Sequence, residues 1–196
     1  MKSVIYRSNG YLGSKLSLAG FVVNLSPVAR YRVAESVTCS FAACGGNLEM
    51  LQWAREQGCP WDASTCGSAA LWGHLDVLKW ARERDCPWDA STCMYAAQCK
   101  NLEVLKWARE QGCPWDSTTC MSAAVSGRLA ALQWARQHGC PWDEQMCHYV
   151  VQLLSMSVSG HTEVLRWARE HGAPWYAVMR DLAATHGYTD ELPLSP

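Results

Sequence analysis

The sequence predicts an all-α fold, a solenoid of stacked helix-turn-helix units, and three observations predict it. Five cysteines, Cys39, Cys66, Cys93, Cys120 and Cys147, stand 27 residues apart, and each opens a segment reading CxxAAxxGxLxxLxWARxxGCPWDxxT with modest variation. Within a segment, apolar residues recur at helical spacing on two successive stretches. Glycine and proline fall where each stretch should stop. A helix pair this short buries its apolar faces only against neighbouring pairs, which is the physical reason for keeping a fixed period.

Residues 1–38 precede the array. They carry Lys2, Arg7, Lys15, Arg30 and Arg32, with no acid through residue 34. LSLAGFVVNL, residues 16–25, is the one candidate for a signal h-region, but a long polar region leads into it. The acid-free, Ser-rich composition also suits an organelle transit peptide, and a flexible start or an N-terminal cap is the plain alternative.

The second unit, residues 66–92, serves as the type. Asp62 suits an N-cap, with Thr65 three residues on, and Cys66, Ala69 and Ala70 then share one helix face. Small residues there permit close packing. Gly73 sits where that helix should end in a left-handed residue, as do Gly46, Gly127, Gly160 and Gly187; Lys100 takes the slot in the third unit and should be mildly strained. A second helix is expected from about Leu75 to Arg84, with Leu75, Val77, Leu78, Trp80 and Ala81 apolar and Asp76, Lys79, Arg82 and Glu83 facing water. It ends at glycine in the other units and at Asp85 here, and Pro60, Pro87, Pro114, Pro141 and Pro174 then forbid continuation.

Full units run 39–65, 66–92, 93–119 and 120–146, followed by a fifth at 147–179, a partial sixth at 180–192 and a tail at 193–196. The fifth is six residues longer than its fellows, with the excess near 152–157. Six residues rotate a helix by about 600°, which is not a whole number of turns, so a bulged loop is expected rather than a longer helix.

The residues AAxxGHLDVLKWARERDCPWDAST resemble the ankyrin repeat, whose pattern matches here at Thr65, Ala69, Ala70, Gly73, His74, Leu75, Val77 and Leu78. The resemblance covers roughly residues 39–192 and implies stacked ankyrin-like repeats. It departs from the family in its 27-residue period, against the usual 33, in lacking the Pro and His of T-P-L-H, and in placing Cys-Pro-Trp-Asp where the β-hairpin finger belongs. A shortened, finger-poor variant is implied, with the concave face of first helices as the contact surface. Ankyrin proteins also serve as substrate-recruiting adaptors in ubiquitin-ligase assemblies, a role the resemblance admits.

Charge and composition exclude some partners. Residues 35–196 carry 12 bases against 18 acids, about −6, and an acidic array lacks the basic stripe that nucleic acid requires. No apolar run reaches the roughly 18 residues of a membrane span. Eleven cysteines, an odd number with nine of them in two repeat slots, suit a reducing compartment and core packing better than a disulfide framework. A cytoplasmic monomer is expected, with organelle targeting through residues 1–34 as the alternative.

The second cysteine slot holds Cys59, Cys86, Cys113 and Cys140, giving C-x6-C at each junction, as in Cys59 and Cys66. Free buried cysteine packs as a small hydrophobe; metal binding or redox pairing is the rival reading. His74 and His161 share a slot with Asn47, Asn101 and Arg128, which points to capping. His138, His148, His171 and His186 show no catalytic partner, and there is no phosphate loop, GxSxG or HExxH. No enzyme activity, cofactor or metal is expected. The recurring tryptophans are read as inter-repeat packing.

What varies between units is the outer face of the first helix. Phe41, Ser68, Tyr95, Ser122 and Tyr149 share one slot, and Leu71, Trp72, Gln98 and Val125 continue the surface, along with Cys99 and Ser126. This mixture of aromatic and small polar groups reads as a recognition strip for a protein or peptide, with drift on an unconstrained surface as its rival. The functional expectation is therefore a non-catalytic interaction scaffold.

Overall fold

The computed structural model describes residues 39–143, 145–154 and 161–174. The readings of residues 1–38, of the partial sixth unit and tail, and of Gly160, Trp175, His186 and Gly187 lie outside them. Among the described residues there are ten helices and no strand: α1 (Cys39–Cys44), α2 (Leu48–Glu56), α3 (Ala63–Trp72), α4 (Leu75–Arg82), α5 (Ala90–Gln98), α6 (Leu102–Glu110), α7 (Ser117–Val125), α8 (Leu129–Gln137), α9 (Met146–Leu154) and α10 (His161–Glu170). The described chain is all-α.

Helices α3, α5 and α7 each begin at an aspartate. Asp62, Asp89 and Asp116 hold extended backbone and accept from the amides of Ser64, Ser91 and Thr118, each at 2.9 Å. Such caps satisfy amides that the first turn leaves unpaired. The odd-numbered helices α1, α3, α5, α7 and α9 pack against one another in succession, and each also packs on the helix that follows it. Their buried residues explain the closeness. Cys66, Ala69 and Ala70 on α3, and Cys93, Ala96 and Ala97 on α5, are all inaccessible to solvent and all small. The even helices cover this row with larger side chains, where Leu51, Leu78, Leu105, Leu132 and Leu165 are fully buried, each contributing about 1.5–3 kcal/mol.

Two details of helix ends differ from expectation. Helix α4 stops at Arg82 rather than Arg84, and Asp85 beyond it takes φ +58, the one positive φ among the described non-glycine residues. Strain therefore sits at Asp85 and not at Lys100. Helix α5 ends earlier, with Cys99 extended at φ −64°, ψ 147°, and the Asn101 amide donates to Cys99 Sγ at 3.3 Å. This exit needs no left-handed residue.

In the slot after the helix-ending glycine, Asn47 and Asn101 cap their helices locally, accepting from the amides of Met50 and Glu103, whereas the histidines and the arginine reach across units. His74 Nε2 donates to the Cys44 carbonyl at 3.1 Å, Arg128 Nε to Gln98 at 3.1 Å, and His161 Nε2 to Val125 at 2.8 Å. All three acceptors lie five residues after a unit's opening cysteine, among the carbonyls that a helix end leaves open. His161 makes the same contact as its equivalents, so α10 docks in register despite the longer fifth unit. Helix α9 runs seven residues past Cys147, where α7 runs five past Cys120. Part of the excess is thus helical; residues 155–160 lie outside the description.

Tryptophans join successive units on the even-helix side. Trp61 meets Trp80 of the next unit edge-on at 5.9 Å, and Trp88 meets Trp107 and Trp115 meets Trp134 in the same manner. Arg55, Arg82, Arg109 and Arg136 lie over Trp61, Trp88, Trp115 and Trp142 at 4.1–4.5 Å. Each arginine also donates to the carbonyl of its unit's turn cysteine. An aromatic pair contributes about 0.5–1.5 kcal/mol beyond its buried area, so the ladder ties neighbours together.

Candidate functional site

The exposed face of the odd helices is built by elimination. Cysteines and alanines turn inward, and what remains outward is the slot two after the cysteine together with the helix end. Phe41 on α1, Trp72 at the end of α3 and Tyr149 on α9 are 66, 57 and 46% exposed, and they are the large apolar side chains exposed among the described residues. None belongs to an even helix. A globular surface tolerates single exposed apolar groups, but their confinement to one row of helices is informative.

Between these aromatics the strip is more closed than the sequence suggests. Ser68, Leu71, Tyr95, Gln98 and Val125 are half-buried. Tyr95 presses on α3, where a Cβ added to Gly67 would lie 3.0 Å from its ring. Gln98 Nε2 donates to Ser122 Oγ at 3.4 Å, and Ser122 is only 7% exposed. Ser122 therefore supports the strip from beneath. Cys99 is likewise buried, filling the space beside Gly73, so it does not continue the exposed surface. At the far end, His148 lies edge-on to Tyr149 at 5.9 Å and faces Gln152, whose Nε2 is 3.0 Å from His148 Nε2. Sequence comparison of units did not single out these two, although Gln152 shares its slot with Gln98.

The even-helix side has concavities of about 380 Å³ around Trp61 and Trp80 and about 400 Å³ around Trp88 and Trp107. Their indole faces are covered by Arg55, Arg84 and Arg82, with Lys79 near Trp107. Little apolar surface is left there for a partner.

The cysteines pair differently from the expected junction. Cys66 Sγ lies 3.9 Å from the carbonyl of Cys86, twenty residues on in the same unit, and not against Cys59. Cys39 with Cys59, Cys93 with Cys113 and Cys120 with Cys140 repeat the contact at 3.7–3.9 Å. The two thiols of a pair also influence one another's titration. The turn sulfur in turn approaches the carbonyl of the preceding N-cap aspartate, Cys86 to Asp62 at 3.6 Å and Cys140 to Asp116 at 3.2 Å.

Interaction with the neighbouring thiol, then burial, holds one proton of the Cys66–Cys86 pair far above the usual thiol range, while the same interaction eases the other off. The protons belong to the pair rather than to either sulfur. Cys147 has Ala173 in the place of a turn cysteine, and burial alone pushes its thiol up to about 12. Among the described residues no three His, Cys, Asp or Glu side chains converge as a metal cluster.

Comparison with protein-family models and with curated proteins returns no match. No described helix is long and apolar enough to cross a membrane.

Proposed function

We propose that the chain is a shortened ankyrin-type solenoid and a non-catalytic interaction module, holding a protein or peptide partner on its odd-helix face. The observation that carries this reading is the placement of Phe41, Trp72 and Tyr149, all exposed, all on odd helices, in slots that vary between otherwise similar units. Large aromatics offer much contact area for little lost side-chain freedom, and such groups dominate the energetics of interfaces. Half-buried Tyr95, Gln98, Leu71, Ser68 and Val125 would form the floor between them, with Ser122 supporting Gln98.

The succession of helix pairs, the Asp caps and the glycine-terminated turns support the solenoid. The acidic array favours a partner other than nucleic acid, and the cysteine usage favours a reducing compartment such as the cytoplasm. Affinity capture with the full chain tests the proposal when repeated with Phe41→Ala, Trp72→Ala and Tyr149→Ala combined. Loss of the captured partner with helical circular dichroism unchanged is expected; undiminished capture would remove the strip from consideration.

A further inference from the structure

The even-helix side carries a row of cations that packing alone leaves partly unused. Arg55, Arg82, Arg109 and Arg136 recur every 27 residues, one to a unit. Each guanidinium lies over the tryptophan of its own turn at 4.1–4.5 Å and donates one N–H to that turn's cysteine carbonyl. A guanidinium has five N–H donors in a fixed fork, so most of the fork stays available. None of the four joins an ion pair among the described residues, and all four are half-buried. Arginines held this way have already lost the freedom that a mobile surface arginine gives up on binding.

The concavities around this row repeat as well. The residues lining the one at Trp61 and Trp80 are those lining the one at Trp88 and Trp107 shifted by 27, so the same site is built twice. In each, two cations line the wall with one carboxylate, Arg55 and Arg84 with Glu56, then Lys79 and Arg82 with Glu83. These hollows are locally positive on an array that is acidic as a whole. Their indole faces are covered, so they suit an anion rather than an apolar side chain.

We propose that the row binds an acidic peptide in polyproline II conformation, with an acidic residue at every third position and one carboxylate to each arginine. Packed helices stand about 8–10 Å apart, which sets the step from one unit's arginine to the next. Polyproline II advances about 9.3 Å per three-residue turn and returns every third side chain to one edge. A β-strand sends residues three apart to opposite faces, and the nearest step in an α-helix, seven residues, overshoots at about 10.5 Å. The arginine fork matches a carboxylate. Glu56, Glu83 and Glu110, each next in sequence to an arginine of the row, repel denser polyanions such as nucleic acid or polyphosphate. One exposed ion pair contributes little, but four on one peptide act together through effective concentration. This surface is separate from the odd-helix strip, and its ligand is distinct from the partner proposed there.

The test is fluorescence anisotropy of the full chain with a labelled peptide that repeats Pro-Ser-Glu four times. It should bind on the order of tenfold more tightly than an isomer with its four glutamates gathered at one end, and a Pro-Ser-Gln counterpart should not bind. Arg82→Lys, which keeps the charge and loses the fork, should weaken binding about threefold. Glu56→Gln with Glu83→Gln, both at exposed positions, should strengthen it about threefold. Phe41→Ala, Trp72→Ala and Tyr149→Ala combined should leave it unchanged, which separates this surface from the odd-helix strip. Equal binding of the clustered isomer, tighter binding of polyphosphate, or loss in the odd-helix variant would overturn the proposal. So would failure of the glutamate variant to gain affinity, even if Arg82→Lys does not fold.

Discussion

Alanine at Gly46 and at Gly58 separates two costs that one unit places side by side. Both residues are left-handed, at φ +65 and +80, so each substitution carries a similar backbone penalty of about 1–2 kcal/mol. At Gly58 no atom lies within 4 Å of the added Cβ. At Gly46 the Cβ would stand 2.5 Å from Nδ1 and Cε1 of His74. The ring must leave, and with it goes the Nε2 bond to the Cys44 carbonyl, worth about 1 kcal/mol and more if the carbonyl stays dry. Gly46→Ala should therefore cost about 1 kcal/mol more than Gly58→Ala in urea unfolding followed by far-ultraviolet circular dichroism. In a His74→Ala background the two should converge, because the clash and the bond are both gone. Equal costs in the wild-type background would refute the cross-unit contact.

Thr92 Oγ1 is buried without a hydrogen-bond partner, so Thr92→Val should raise stability by about 1 kcal/mol; a loss of stability in the same urea assay would show that the hydroxyl is satisfied. Leu105→Ala, at a fully buried position, should cost about 2–5 kcal/mol, and a cost under 1 would mean the even helices are loosely held. Alkaline pH should weaken the fold. The Cys147 thiol is raised from an ordinary 9.0 to about 12, so between those values the unfolded chain has released a proton that the folded chain keeps. Stability present below pH 9 is then lost as pH rises, by up to about 1.4 kcal/mol per pH unit for this group. Cys147→Ala should flatten the slope of unfolding free energy between pH 9 and 11 by that amount, and an unchanged slope would contradict the assignment.

Helices and their ends were largely legible in the sequence, because the information is local. An aspartate before a short run, small residues at i, i+3 and i+4, and glycine before proline each act within one turn of the chain. Asp85 and Lys100 show the limit of that reading: both replace glycine, yet one accepts a left-handed backbone and the other escapes it when Cys99 turns extended. The choice depends on a sulfur beside a neighbouring amide, which no pattern records. The cysteine pairing was hidden for a related reason. Cys59 and Cys66 are close in sequence, but the return of the second helix carries Cys86 to Cys66. Within the candidate strip, slot variability found Phe41, Trp72 and Tyr149 but could not tell that Ser122 and Cys99 are buried, since depth depends on how the neighbouring helix sits.

The most direct test of the interaction reading is the dissociation constant of the captured partner for three proteins: wild type, the Phe41→Ala, Trp72→Ala, Tyr149→Ala variant, and a control with Glu83→Ala and Gln111→Ala on the even-helix side. Loss of interface aromatics costs about 2 kcal/mol or more, roughly thirtyfold in affinity. The odd-helix variant should weaken binding by at least that factor and the control should leave it unchanged. Equal weakening by both, or none by the odd-helix variant, would contradict the assignment of function to the odd-helix face.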